Sequence, residues 1–272
     1  MGRKKQLIIP VFLPFAGCRH QCVFCDQFGI TGAVALPDAH AVRCTIDKHL
    51  ASWKGAGTRE IAFYGGSFTA LPRECQKVYL EIAYEYVREG DIDSIRLSTR
   101  PDCVSIDSCS FLQSCGVRTV ELGAQSMSDT VLRLSGRGHN ADDTRRAVKV
   151  LRALGLNVGL QIMPGLPGDS RKTMIMTAEE AAMLRPDFVR IYPALVLKGT
   201  PLYRMYCSGI YTPWPLAEMV DICREISAVF REAKIPVIRF GLQPFAGLEE
   251  SLAAGPYHPC FRQLVEKGMS SA

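Results

Sequence analysis

Residues 141–168, ADDTRRAVKVLRALGLNVGLQIMPGLPG, contain one complete helix-to-strand unit. Ala147, Val150, Leu151 and Leu154 recur at helical spacing and share one face, while Arg145, Arg146, Lys149 and Arg152 crowd another. Asp142, Asp143 and Thr144 offer capping groups at the start. Gly155 stands where a helix-ending glycine belongs, and Asn157–Met163 is an aliphatic run of strand length. Pro164-Gly165-Leu166-Pro167-Gly168 then stops it. A short apolar strand fed by an amphipathic helix is the repeating element of a parallel sheet.

The same alternation runs outward in both directions. Strands are expected at Leu7–Leu13, Glu60–Tyr64, Ser94–Ser98, Arg118–Leu122, Asn157–Met163 and Phe188–Tyr192. Helices are expected over 38–53, 72–88, 106–115, 141–154, 170–184 and 215–233, with Val78, Ile82 and Tyr86 on the buried face of the second. Six such units fall short of the eight of a closed barrel, so the fold class is α/β, a partial (β/α)6 TIM-like barrel. Pro236–Phe240 is available as a seventh strand. Residues 1–240 form the expected core, and the weakly periodic residues 241–272 are expected to pack on it as a tail. No Ser/Pro linker, side-chain repeat or low-complexity tract divides the chain.

The chain has 272 residues, 47% hydrophobic and 22% charged, with a net charge of +5. This is ordinary globular composition, and its mild basicity permits a polyanionic partner without requiring one. Eleven irregularly spaced cysteines do not read as a disulfide framework, which points to a reducing, cytoplasmic setting. No apolar run reaches transmembrane length, so no membrane partner is expected. Arg3-Lys4-Lys5, the apolar stretch to Phe15 and Cys18 imitate a lipoprotein leader, but Pro10 and Pro14 interrupt that stretch and Cys22 and Cys25 would be left unexplained.

Those cysteines lie in Cys18-Arg19-His20-Gln21-Cys22-Val23-Phe24-Cys25, directly after the first expected strand. Three thiols in eight residues supply three metal ligands and leave a coordination position vacant, unlike a closed four-ligand zinc site. Further motifs follow later strands: Gly65-Gly66-Ser67-Phe68, Thr99-Arg100-Pro101-Asp102, Gly123-Ala124-Gln125-Ser126 and the Pro164–Gly168 turn. In a parallel α/β barrel all of these loops open on one face, where working groups gather. Each motif alone has a plainer explanation: glycines for a turn, Arg100 with Asp102 as a surface ion pair, a buried Gln125, a solvated Arg137.

Together the spacing of Cys18, Cys22 and Cys25 and the segment Phe63-Tyr64-Gly65-Gly66-Ser67-Phe68-Thr69 resemble the radical S-adenosylmethionine (SAM) superfamily. Thr99-Arg100-Pro101-Asp102 and Gly165-Leu166-Pro167-Gly168 resemble its branch related to the Elongator catalytic subunit, here without the acetyltransferase domain. The resemblance implies a [4Fe-4S] cluster on Cys18, Cys22 and Cys25 and SAM on its open iron. It also implies cofactor contacts from Gly65, Gly66, Ser67, Thr99 and Arg100, with Gln125 suited to the ribose diol, Arg137 to the carboxylate and Met163 near the adenine. A reduced donor such as ferredoxin or flavodoxin would supply the electron, and tRNA is the implied candidate substrate, with the basic face of residues 145–152 as one way to meet it. Catalytic residues beyond the cluster are not implied. His139 is a candidate acid or base by its neutral-range pKa. A non-catalytic metal protein, with Cys44 or His20 as a fourth ligand, remains the alternative.

Overall fold

A computed structural model of the chain describes residues 6–27, 35–242, 244 and 247–267. Seven parallel strands form one sheet in the order β1 (Leu7–Leu13), β2 (Arg59–Gly65), β3 (Ser94–Thr99), β4 (Val117–Gln125), β5 (Asn157–Ile162), β6 (Phe188–Ile191) and β8 (Val237–Phe240). The six expected strands are all present, and the optional seventh closes the far edge. Among the described residues, helices α1 (Ala39–Ser52), α2 (Arg73–Glu89), α3 (Ile106–Ser114), α5 (Ala141–Ala153), α6 (Arg171–Met183) and α8 (Leu216–Glu232) connect or follow the strands.

Strand parity decides which side chains meet the helices. Ile61 and Phe63, Ile95 and Leu97, Val120 and Leu122, Val158 and Leu160, and Val189 and Ile191 join one core with the helices. The alternate positions carry Glu60, Tyr64, Arg96, Glu121 and Arg190. The Arg190 guanidinium on β6 donates to the Tyr64 hydroxyl on β2 at 3.0 Å and pairs with Glu121 on β4 at 2.7 Å. Strands four places apart in the sheet touch only if the sheet curls, so these groups fill the interior of a half-barrel. Arg96 joins the same network by bonding both Glu60 and Glu121. Two glutamates and two arginines balance their charges there, which is how buried ions are tolerated.

Local signals set most helix boundaries. Asn140 caps α5 and exchanges hydrogen bonds with Asp143, two residues before the first of the expected capping groups at 142–144. Ser105 with Ser108 and Ser170 with Thr173 do the same for α3 and α6. Val78 departs from expectation: it is 49% exposed, while Ile82 and Tyr86 on α2 are buried as expected. A position four residues from Ile82 sits at the edge of the stripe, where the neighbouring helix no longer covers it.

Three unforeseen elements complete the top of the barrel. They are α4 (Asp129–Leu134), the two-stranded antiparallel sheet of β7 (Val196–Leu197) with β9 (Leu252–Ala254), and α7 (Pro201–Cys207). The last two helices, α9 (Leu248–Ser251) and α10 (Phe261–Lys267), give residues 248–267 regular structure, with Phe261 and Val265 buried in the main core. Two of the four cations on the basic face of α5 are ion-paired, Arg145 with Asp142 and Glu180 and Arg146 with Asp143, while Arg152 donates to the Arg185 carbonyl and keeps its charge.

Candidate metal and cofactor site

The cysteine loop leaves β1 and is anchored on both flanks. On one side the Gly66 and Ser67 amides donate to the carbonyls of Leu13 and Ala16, at 2.9 and 2.7 Å. A β-carbon on Gly66 would lie 2.0 Å from the Ala16 carbonyl oxygen, so only glycine admits the loop. The first visible task of Gly65-Gly66-Ser67 is therefore to seat the cysteine loop, with two of its amides already committed to that task. Gln27 closes the loop: its side-chain oxygen accepts from the Phe15 amide, and its amide nitrogen donates to the Gly65 carbonyl at 2.7 Å.

On the other flank the turn after α4 receives the loop. The Val23 amide donates to the Ser135 carbonyl at 3.0 Å, and a β-carbon on Gly138 would lie 2.6 Å from the His20 ring. The glycines around Arg137 thus make room for the cysteine loop. From the C-terminal third, the Leu202 amide donates to the Val23 carbonyl at 2.7 Å. Val23 and Phe24 pack there against Val196, Leu202, Tyr211, Ala253 and Ala254.

Held in this way, the three thiols sit close enough to influence one another. Burial, followed by the charges of Cys22 and Cys18, pushes the Cys25 thiol up to about 12, against the opposing effects of Gln27 and Arg137. Cys22 is buried and accepts a 3.0 Å hydrogen bond from Arg137 Nη1. Cys18 Sγ lies 3.7 Å from Ser67 Oγ. Among the described residues no three Cys, His, Asp or Glu side chains already converge at metal-ligand distance. The donor set is nevertheless the soft, mutually repelling kind that a cationic iron-sulfur centre relieves. A cavity of about 510 Å3 opens beside Cys18 and Cys25, lined also by Phe15, Arg19, His20 and Gly199.

Of the fourth-ligand alternatives, His20 lines the same cavity as Cys18 and Cys25, and Cys44 does not. His20 lies against Gly138, and Cys44 is exposed on α1 with its sulfur 3.5 Å from His40. Away from this loop, Cys109 is fully buried, and burial raises the pKa of its thiol.

The strand-end residues form a second, polar layer beside the thiols. The Thr99 and Thr69 hydroxyls are 2.6 Å apart. Arg100 is buried and grips Asp102 through Nε and Nη2, both at 2.9 Å, so the pair runs from a buried guanidinium to a carboxylate at the surface. Burial opposes ionisation of Asp102, yet the Arg100 hydrogen bonds hold its carboxyl below the usual range. Gln125 ends β4 at φ +65°, a left-handed conformation for a non-glycine residue, and its carbonyl accepts from the Met163 amide at 2.8 Å. Met163 packs with Val131, Leu166, Ala194 and Phe24.

Arg137 bonds within the protein. Its Nη1 is spent on Cys22 and its Nη2 on the Gly123 carbonyl, at 2.5 Å, so the fork suited to a carboxylate is engaged within the protein. It links the cysteine loop to the end of β4. Four buried polar atoms in this layer have no partner among the described residues: Arg100 Nη1, Gln125 Oε1, Arg137 Nε and His139 Nδ1. Orphaned buried groups cost free energy, and four together mark a surface built to meet a polar ligand. The residues present fit an iron-sulfur cluster with a polar cofactor beside it.

Sequence comparison agrees with this geometry. Residues 12–181 match the family model of the radical SAM superfamily, and residues 186–271 match that of the radical SAM C-terminal domain. The chain belongs to the radical SAM superfamily. It is similar to an uncharacterized protein of Methanocaldococcus jannaschii, 31% identical over 220 residues that span 77% of this chain and 67% of that one. It is also similar to the tRNA uridine(34) acetyltransferase of Methanocaldococcus infernus, 31% identical over 183 residues, 60% of this chain and 34% of that protein. Among solved structures, archaeal Elp3 of Methanocaldococcus infernus superposes with a TM-score of 0.76 at 23% identity, over 97% of this chain and 62% of that one. The chain thus spans about a third to two thirds of the length of these relatives. The half-barrel is the fold of this superfamily, and the relatives include the Elongator branch that the Thr99–Asp102 and Gly165–Gly168 motifs resemble. No helix of the described residues is long and apolar enough to cross a membrane.

Sequence reasoning missed three contributors: Gln27, the loop-seating role of Gly136 and Gly138, and the brace from Leu202. A hydrophobic residue after a helix-capping Thr200-Pro201 pair was the available signal for the last. Gln27 had none.

Proposed function

We propose that this chain is an enzyme that holds a [4Fe-4S] cluster on Cys18, Cys22 and Cys25 and cleaves SAM reductively to act on tRNA. A cluster held on these thiols would supply one electron, drawn from a reduced donor of ferredoxin or flavodoxin type, for the reductive cleavage of SAM. The protein's own part is to place and shield. Gly66 and Gln27 fix the thiol loop, Arg137 donates to Cys22 without competing for the metal, and Gln125 turns an unpartnered amide oxygen toward the cofactor layer. Thr99, Arg100 and Met163 border that layer on the neighbouring strands. Phe24 and Val23, packed under α7 and β9, close the thiols off from water on the C-terminal side.

The observation that carries this reading is the pairing of a three-thiol loop with four orphaned buried polar atoms beside it. tRNA as substrate rests on the relatives' activity and not on α5, whose arginines are mostly ion-paired. The test is anaerobic reconstitution with iron and sulfide, followed by SAM and a strong reductant. Formation of 5′-deoxyadenosine, increased by added bulk tRNA, is expected. An iron-loaded protein that yields none sinks the cofactor chemistry, and cleavage indifferent to tRNA sinks the substrate.

A further inference from the structure

At the end of β4 the backbone is forced into an uncommon conformation. Its register against β5 shifts between Gly123 and Gln125, and Gln125 then adopts φ +65°. Such a kink persists only where the surroundings over-determine it. Two side chains from a single segment do so, through consecutive carbonyls. Arg137 Nη2 donates to the Gly123 carbonyl, and His139 Nε2 faces the Ala124 carbonyl at 3.3 Å. A carbonyl oxygen only accepts, so the ring proton belongs on Nε2 and the ring acts as a donor there. His139 is 6% exposed, with a neighbour, Arg137, that is already cationic. Burial first, and that charge second, hold its pKa down to about 4, so the ring is a neutral donor across the neutral range.

We propose that His139, acting with Arg137, is a positioning residue that fixes the Gln125 kink so that the Gln125 amide meets the ribose hydroxyls of SAM. This rests on the cofactor reading above. Without these two side chains the Gly123 carbonyl would lose its side-chain donor and the Ala124 carbonyl would keep only the Ser126 amide, at 2.9 Å, so the peptide before Gln125 would be held less firmly in the kink. Gln125 Oε1, now buried without a partner, would swing out of the layer. Gly123 serves the same end, since a β-carbon there would lie 3.0 Å from Gln125 Nε2 and 3.3 Å from Arg137 Nη2. Position 139 thus sets cofactor affinity without touching the cysteine loop, which Arg137 serves through its other nitrogen.

The test measures equilibrium SAM binding to the reconstituted protein, with iron content as control. H139F removes the donor; H139Q restores one at a comparable reach. H139F and Q125A should each weaken binding by about tenfold, as loss of one buried hydrogen bond does, with iron content unchanged. H139Q should bind within about threefold of wild type. The double variant H139F/Q125A should bind no more weakly than Q125A, because His139 acts through Gln125. Wild-type affinity in H139F, or losses that multiply in the double variant, overturns the proposal. A second readout needs no cofactor: the Met163 amide, which donates to the Gln125 carbonyl, should lose hydrogen-exchange protection in H139F and keep it in H139Q. Loss of protection alongside a wild type that binds no SAM leaves the clamp standing as structure and overturns its cofactor role together with the reading it rests on. Unchanged protection overturns the clamp alone.

Discussion

Gly66 shows how narrow the tolerance is at single positions. An added methyl group would meet the Ala16 carbonyl at 2.0 Å, a backbone atom that cannot step aside. G66A should therefore cost about 1–3 kcal/mol in denaturant unfolding, as overpacking does, and should lower iron retention because the displaced segment carries Cys18. Two titrating residues oppose each other. The unfolded chain binds a proton on His139 near pH 6.5, but the folded protein refuses it until about 4, so stability is lost as pH falls through that window. Asp169 runs the other way. Burial raises its carboxyl from 3.8 to about 6 despite bonds from Thr173 and the Gly165 and Leu166 amides, so stability is lost as pH rises from 3.8 to 6. Each displacement is worth about 3 kcal/mol, so the two slopes nearly cancel between pH 4 and 6. Relative to wild type, H139Q should lose stability as pH rises through that window, and D169N should lose it as pH falls; urea midpoints at pH 4.5 and 6.5 check both signs. The cysteine triplet stands out in the sequence because its three thiols lie within eight residues. Gln27 was not, because one residue that staples two loop ends leaves no pattern in the chain.

At the scale of elements, periodicity carried the assignment wherever a helix had one covered face. α5 met its expected core face with Ala147 and Leu151 buried and begins at Ala141 as expected, although Asn140, not Asp142, makes the reciprocal bond with position 143. N140A should cost about 1 kcal/mol of stability in thermal or denaturant unfolding, while D142A, whose side chain serves only an exposed pair with Arg145, should cost far less. Short elements escaped notice for a physical reason. β7 spans only Val196–Leu197 and β9 Leu252–Ala254, too few residues for any period to show, and each is a strand only because the other lies beside it. Val78 was misplaced for the converse reason: its helical phase was right, but coverage by a neighbour is a property of the packing, not of the phase.

Across the whole molecule, the half-barrel was legible from the count of βα units, but its interior was not. Glu60, Arg96, Glu121 and Arg190 lie up to 130 residues apart and become partners only when the sheet curls. The sequence shows four charges inside strands; the reason they are tolerated is three-dimensional. The same holds for the brace on the cysteine loop. L202A should destabilise the protein by about 2–5 kcal/mol, since Leu202 is fully buried, and should also speed iron loss in a chelator challenge, which an equally destabilising truncation such as Leu112→Ala, far from the loop, should not match. The Val23–Leu202 bond also has a temporal consequence. A ribosome delivers Cys18, Cys22 and Cys25 near the beginning of synthesis and Leu202, Tyr211 and Ala253 much later, so the thiols emerge long before the surface that shelters them. The nascent chain passes through an interval in which three thiols are bare, and the surface that covers them is finished only when the last third of the polypeptide folds back over them.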